Sequence, residues 1–92
     1  MKIDEFKTIL EATKDIVELV KKLCPTFGFI HRTEPIKYGE ELGFLVWDYV
    51  LYNEITFISI DKKIVQRLFN STSDKETEEE FNKLVKQFKL IA

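Results

Sequence analysis

A helical pattern of apolar residues opens the chain. They recur at intervals of three and four, and neighbouring apolar positions widen the stripe beyond a coiled-coil seam. The repeating positions are Ile3, Phe6, Leu10, Thr13, Val17, Val20 and Cys24. Lys21 and Lys22 suit the C-terminal end of a helix, and Pro25 prevents its continuation. The pattern predicts one helix over residues 3–23 that packs on a sheet.

After this helix, the spacing changes from the helical one to the two-residue repeat of a β-strand. The positions that would share one face of a strand are Phe27, Phe29, His31 and Thr33. Proline cannot donate a hydrogen bond to a neighbouring strand, so Pro35 is expected to end this one. We therefore predict a strand over residues 27–33 and a connection with an acidic tip over residues 34–42.

Two apolar runs, residues 44–52 and 55–60, predict a hairpin. Asn53 and Glu54 separate them, and asparagine tolerates the positive φ that tight hairpin turns need. A two-residue turn there fixes the register of the two strands. It would pair Tyr52 with Ile55, Leu51 with Thr56, Val50 with Phe57, Tyr49 with Ile58, Asp48 with Ser59 and Trp47 with Ile60.

Two helices are predicted to follow the hairpin. A short one over residues 61–69 would begin at Asp61 as N-cap. Ser71-Thr72-Ser73 breaks it, and Ser73 with Glu76 forms a capping-box pattern before a helix over residues 75–90. The inner face of that last helix would carry Phe81, Leu84, Val85, Phe88 and Ile91.

These elements predict a single compact α+β domain over residues 1–92. Its order would be α-β-β-β-α-α around an antiparallel three-stranded sheet. Both faces of the hairpin are apolar, whereas a half-solvated antiparallel strand alternates apolar with polar residues. Either the three helices divide themselves between the two faces, or the helices at 3–23 and 75–90 cover one face and a second chain covers part of the other.

Composition and charge narrow the class of protein. Apolar residues make up 45% and charged residues 33%, which is typical of a globular domain. Residues 25–60 carry two bases and five acids, and no concentrated basic face is evident, so nucleic-acid binding is disfavoured. A nucleic-acid accessory protein would instead need its basic residues on one surface. The candidates are Arg32, Lys37, Lys62, Lys63 and Arg67.

Cysteine usage and hydropathy indicate a cytoplasmic protein. Cys24 is the one cysteine, so no internal disulfide forms and no zinc-type cysteine pair exists. No run approaches the ~18 apolar residues that a membrane span needs, and the N-terminus lacks the apolar run of a signal peptide. We expect no membrane partner. Glycine spacing fits no phosphate-binding loop, and no metal ligands are clustered, so we expect no cofactor and no metal.

Catalytic chemistry has little support in the sequence. Cys24, His31 and Asp48 are the residue types of a nucleophile relay, but no motif surrounds them, and Cys24 falls on the apolar stripe where a thiol is a small core residue. We predict no catalytic residue. The alternative is a small enzyme or ligand-binding protein with a pocket around His31 and Asp48, joined by Tyr52.

A protein-binding role follows by elimination and from the excess of apolar sheet surface. We expect a non-enzymatic module of the inhibitor, adaptor or regulatory-subunit kind, whose partner is another protein or a second copy of the chain. The predicted binding residues share the hairpin face that also carries polar side chains, because a binding surface must tolerate water. They are Phe44, Val46, Asp48, Tyr52 and Phe57.

Overall fold

Seven elements follow one another along residues 1–90, the part of the chain that the computed structural model describes. They are α1 (Ile3–Ala12), α2 (Ile16–Leu23), β1 (Phe29–Tyr38), β2 (Glu41–Tyr49), β3 (Asn53–Ser59), β4 (Val65–Ser71) and α3 (Asp74–Gln87). The strands pair antiparallel in chain order, β1-β2-β3-β4. The α+β class is confirmed, but the element order is α-α-β-β-β-β-α.

The helices cover opposite faces of the sheet. α1 and α2 pack on one face, where Phe6 and Val20 are buried against Phe44, Val46 and Ile58. α3 packs on the other face, and the buried residues of that second cluster are Ile36, Leu45, Trp47, Ile55, Phe57, Phe81 and Leu84. The hypothesis that the first and last helices share one face is therefore wrong. The chain covers both faces of its central hairpin with its own helices.

The predicted helix over residues 3–23 is divided into α1 and α2. Thr13 donates its hydroxyl to the Ile9 carbonyl at 2.7 Å, and α1 ends there. Asp15 then caps α2, accepting a hydrogen bond from the Glu18 backbone N–H at 3.2 Å. Aspartate favours such a cap over a helix interior because its carboxylate competes for backbone donors. The apolar stripe continues across the break, which is why its spacing alone suggested one helix.

β1 extends well beyond the predicted strand over residues 27–33. The supposed connection over residues 34–42 supplies the end of β1 and the start of β2. Pro35 is tolerated because β1 is an edge strand, where a missing donor costs no inner ladder bond. The chain reverses at Gly39, whose φ of 62° is easily reached without a Cβ atom.

The hairpin register differs from the predicted one. Trp47 pairs with Ile55, and Tyr49 pairs with Asn53, so the loop consists of residues 50–52. The shift is an odd number of positions, and an odd shift moves one strand's side chains to the other face relative to its partner. Asn53 is therefore a strand residue. Its side chain accepts a hydrogen bond from the Trp47 indole, at 2.9 Å.

A fourth strand replaces the predicted helix over residues 61–69. Asp61 does cap local backbone, but within a turn: its carboxylate accepts from the Ser59 hydroxyl at 2.8 Å and from the Lys63 N–H at 3.1 Å. In β4, Leu68 is an extra residue between the pairs formed by Arg67 and Phe69. This bulge brings Leu68 and Phe69 to the same cluster, which gives a strand the apolar spacing of a helix.

The start of α3 follows the sequence prediction. Ser73 caps it, accepting from the Glu76 backbone N–H at 3.2 Å, while the Glu76 carboxylate accepts from the Ser71 hydroxyl. The helix ends at Gln87, and the Phe88 carbonyl then accepts from the Lys37 N–H of β1 at 3.0 Å. Of the predicted inner face, Phe81 and Leu84 are buried; Ile91 lies outside the described residues.

Candidate binding site at the loop end of the sheet

The five predicted binding residues do not form one exposed surface. Phe44 and Val46 are fully buried beneath α1 and α2, and Phe57 is fully buried on the α3 face. Asp48 is buried as well, and Tyr52 lies half-buried in the 50–52 loop. The incorrect register placed Phe57 on the face of Phe44 and Val46, which it does not share, and that face is covered by α1 and α2.

The candidate catalytic side chains are also separated. The His31 ring packs against Trp47, 4.2 Å between centroids, on the α3 face. Asp48 follows Trp47 in β2 and therefore points to the opposite face. The Cys24 thiol contacts the Thr26 hydroxyl at 3.1 Å. The structure thus does not bring His31 and Asp48 into one pocket.

Large exposed apolar side chains gather at one end of the sheet instead. Phe29 and Tyr49 are directly opposite each other across β1 and β2, and Val50 and Leu51 follow in the adjoining loop. Their exposed fractions are 70% for Phe29, 47% for Tyr49, 60% for Val50 and 82% for Leu51. We call these four residues the loop-end patch. Several large exposed apolar side chains at one end of a small domain often mark an interaction site.

Asp48 and Gly28 hold the loop-end patch in place. The Gly28 N–H donates to Asp48 Oδ2 at 3.1 Å, which fixes the backbone just before Phe29. A Cβ atom on Gly28 would lie 2.5 Å from Val50 Cγ2 and 2.6 Å from the Tyr49 carbonyl oxygen. Only glycine therefore allows the start of β1 to approach the 50–52 loop this closely.

An open pocket adjoins the loop-end patch on the α3 face. Its volume is about 520 Å³, within the ~300–1,000 Å³ range of ligand pockets. The residues that line it are Phe29, His31, Trp47, Tyr49, Asn53, Thr72, Asp74 and Glu78. We call it the Trp47 pocket. A β-bulge at His31, between the pairs formed by Ile30 and Arg32, allows its imidazole to cover the indole.

A chain of hydrogen bonds fixes one wall of the Trp47 pocket. The Trp47 indole N–H donates to Asn53 Oδ1, and Asn53 Nδ2 donates to Asp74 Oδ1, each at 2.9 Å. Both hydrogen-bonding ends of the Asn53 amide are thereby used. Because this chain of hydrogen bonds joins β2, β3 and the first turn of α3, it fixes the Asp74 carboxylate in the wall of the pocket.

The Asp48 carboxyl has an unusual electrostatic environment. It is only 3% exposed, and Oδ1 has no hydrogen-bond partner among the described residues. Burial raises the pKa of this carboxyl above its ordinary value, and the nearby Glu54 carboxylate raises the pKa further, while the Gly28 N–H lowers it in part. The ionised Asp48 carboxylate therefore destabilises the folded protein.

Asp48→Asn should raise the free energy of unfolding at neutral pH. The folded-state pKa lies above the unfolded one, so the stability from Asp48 is fully present in acid and is lost as pH rises through the folded pKa. The amide can still accept from Gly28 but never ionises. In urea unfolding, the free energy of unfolding of the variant should exceed that of the wild type at pH 7 but not below pH 4.

Asp61→Asn provides a control of opposite sign. Hydrogen bonds from the Lys63 N–H and the Ser59 hydroxyl lower the pKa of the Asp61 carboxyl, so its stabilisation is present at neutral pH and is lost as pH falls through the folded pKa. This variant should be less stable than the wild type at pH 7. An Asp48→Asn protein that also loses stability at pH 7 would contradict the assigned role of burial.

Neither a metal site, a membrane-spanning helix nor a known relative adds an assignment for the described residues. Within residues 1–90, no group of three or more His, Cys, Asp or Glu side chains could hold a metal ion. No helix in that range is long and apolar enough to cross a membrane. In comparisons with known proteins, no family model, curated protein or solved structure matches the chain. The candidate site therefore depends on its own geometry.

Sequence reasoning missed both the loop-end patch and the Trp47 pocket. Val50 and Leu51 looked like strand residues because they continue the apolar run of β2. A half-buried strand alternates apolar with polar residues, and this run has more apolar residues than that. The excess was the one feature of the sequence that pointed to the loop-end patch. Asn53 and Asp74 carried none, since their pairing joins residues 21 apart in sequence.

Proposed function

We propose that this chain is a non-enzymatic protein-binding module of the inhibitor, adaptor or regulatory-subunit kind, and that it binds another protein through the loop-end patch. The single observation that carries the proposal is the gathering of Phe29, Tyr49, Val50 and Leu51 at one end of the sheet, all exposed. Aromatic side chains beside aliphatic ones are favoured at the centres of protein interfaces.

The construction of the loop-end patch supports this proposal. The hydrogen bond from Gly28 to Asp48 and the close approach of Gly28 to Val50 hold the apolar side chains on a defined backbone. A surface that is ordered before binding loses less conformational entropy when a partner arrives. The two cores beneath it are complete without these four residues, so core packing alone does not require them to be apolar.

The other two functions that the sequence left open have less support. An enzyme or ligand-binding site around His31 and Asp48 would need those side chains together, but they point to opposite faces of the sheet. A nucleic-acid surface would need the basic residues together. Arg32 lies on the α3 face of β1 and pairs with Glu34, whereas Arg67 lies on β4 at the other edge and pairs with Glu54.

Leu51→Asp should abolish capture of the partner. The side chain is 82% exposed, so the substitution changes no core contact, but it places a charge within the loop-end patch. Immobilised wild-type and variant proteins are incubated with native cell lysate, and the captured proteins are compared by quantitative mass spectrometry. We expect that Leu51→Asp captures at least one of the proteins bound by the wild type in an amount that is at least tenfold lower.

Val65→Asp is the matched control for this experiment. Val65 is also exposed and apolar, but it lies on β4 and outside the loop-end patch. It should capture the same protein as the wild type. Equal capture by all three proteins would overturn the proposal. If the protein lost with Leu51→Asp is the chain itself, and the solution mass of the wild type is that of a dimer, the partner is a second copy.

A further inference from the structure

The Trp47 pocket is lined by both aromatic rings and carboxylates. Phe29, Tyr49 and the His31 imidazole, which covers the buried Trp47 indole, provide ring surfaces, while Asp74 and Glu78 provide the negative charge. The two acids are four residues apart on α3 and so lie on one side of the helix. No lysine or arginine nitrogen within residues 1–90 approaches either carboxylate to within 4 Å. This chemistry suits a planar cation.

The chain itself shows how a guanidinium binds on this face. The Arg32 guanidinium carbon lies 4.5 Å from the centroid of the Phe81 ring, and its Nη1 donates to Asn82 Oδ1 at 2.9 Å. An aromatic ring from α3 and an oxygen from the next residue thus hold one arginine next to the Trp47 pocket. Guanidinium groups stack on rings and bond carboxylates in a planar fork, which ammonium groups do not.

A second copy of the chain has no free arginine to offer. The sequence contains two arginines, Arg32 and Arg67. Arg32 is stacked on Phe81, and Arg67 donates to Glu54 Oε1 at 3.0 Å. An arginine that enters the Trp47 pocket without breaking these contacts therefore has to come from a different protein.

We infer that the Trp47 pocket binds an arginine side chain of the partner protein, next to an apolar residue that lies on the loop-end patch. Phe29 and Tyr49 belong to both surfaces, so the two partner residues would be neighbours in space. The inference rests on the proposed function and adds the chemistry of the partner. Charge complementarity selects the basic residue, and the ring surfaces select arginine over lysine.

N-acetyl-argininamide is the probe that tests this inference, with the isosteric but neutral N-acetyl-citrullinamide as its control. Trp47 is the one tryptophan of the chain, so its indole N–H gives a single resonance in an ¹H–¹⁵N spectrum. That N–H is bonded to Asn53 and is sensitive to changes at Asp74. At low ionic strength, we expect a saturable shift with the arginine probe and at least fivefold weaker binding of the citrulline probe.

Glu78→Gln and Glu79→Gln separate the pocket from general electrostatics. Both residues are exposed on α3 and both substitutions remove one negative charge, but only Glu78 lines the Trp47 pocket. We expect Glu78→Gln to lower the affinity for the arginine probe at least threefold. Glu79→Gln should keep that affinity within twofold of the wild type. Equal effects of the two substitutions, or equal binding of both probes, would overturn the inference.

The outcomes distinguish this inference from the proposed function. If the arginine probe leaves the Trp47 resonance unmoved while protein capture still depends on Leu51, the loop-end patch is a binding surface and the arginine assignment is wrong. If the probe binds in the Trp47 pocket and capture does not depend on Leu51, the arginine site is retained and the proposed interface is wrong.

Discussion

Gly43→Ala should remove a large part of the stability of this domain. Gly43 lies in β2 between Ile36 of β1 and Ser59 of β3. An added Cβ atom would lie 2.1 Å from the Ile58 carbonyl oxygen and 2.7 Å from the Ser59 Cα atom. Both are backbone atoms of an inner strand, which cannot rotate away as a flexible side chain could. The two inner strands, β2 and β3, would have to separate at the end of their ladder where Gly43 pairs with Ser59.

We expect this substitution to lower the free energy of unfolding by about 3 kcal/mol or more, at or above the upper end of the range for overpacked cores. A domain of this size has roughly 5–14 kcal/mol in total, and such a loss lowers the melting temperature by about 12–24 °C. Thermal unfolding followed by circular dichroism measures it.

Gly39→Ala is the matched control. Gly39 has a φ of 62°, but no atom lies within 4 Å of the position of its missing Cβ. Alanine there costs only the left-handed backbone conformation, roughly 1–2 kcal/mol. A melting temperature of Gly43→Ala within a few degrees of the wild type, or above that of Gly39→Ala, would contradict the close approach of β2 to β3 at Gly43.

The sequence predicted those elements that depend on neighbouring residues. The Ser73 cap and the helix it starts were correct, because a cap joins residues three positions apart. The excess of apolar residues in the central hairpin also indicated, correctly, that something covers both faces. Which helix lies on which face depends on packing between distant segments, and periodicity does not encode it.

The errors in the sheet have specific physical causes. Asn53 resembles a turn residue, but its amide is used inside the sheet between Trp47 and Asp74. The bulge at Leu68 gives β4 a helix-like spacing. A hairpin register is set by its turn, and one wrong turn moves every side chain of a strand relative to its partner. The predicted site therefore included Phe57, which lies on the opposite face of the sheet from Phe44 and Val46.

The apolar excess nonetheless led toward the candidate site. Tyr49, Val50 and Leu51 belong to the run that seemed too apolar for a half-buried strand, and the structure leaves all three exposed. Asp48 was among the predicted binding residues, and it lies beneath the loop-end patch as a positioning residue for Gly28. The Trp47 pocket could not be found in the same way, because its walls come from β1, β2, β3 and α3.

Phe29→Ala should weaken partner binding strongly and leave the fold intact. Phe29 is 70% exposed and lies against Tyr49 across the β1–β2 pair, at the border between the loop-end patch and the Trp47 pocket. Truncation of an aromatic residue at the centre of an interface costs about 2–4 kcal/mol of binding. This corresponds to a roughly 30- to 700-fold increase in Kd. An exposed substitution changes folding stability by only about 0.5 kcal/mol.

The most direct test of the protein-binding function is therefore the Kd of the purified captured partner for the wild type, Phe29→Ala and Val65→Ala, measured by titration calorimetry. We expect at least a 30-fold loss of affinity for Phe29→Ala. For Val65→Ala we expect a change of less than threefold, and the urea unfolding curves of both variants should overlay that of the wild type. Equal affinity of Phe29→Ala and the wild type would contradict the claim that the loop-end patch is the binding surface.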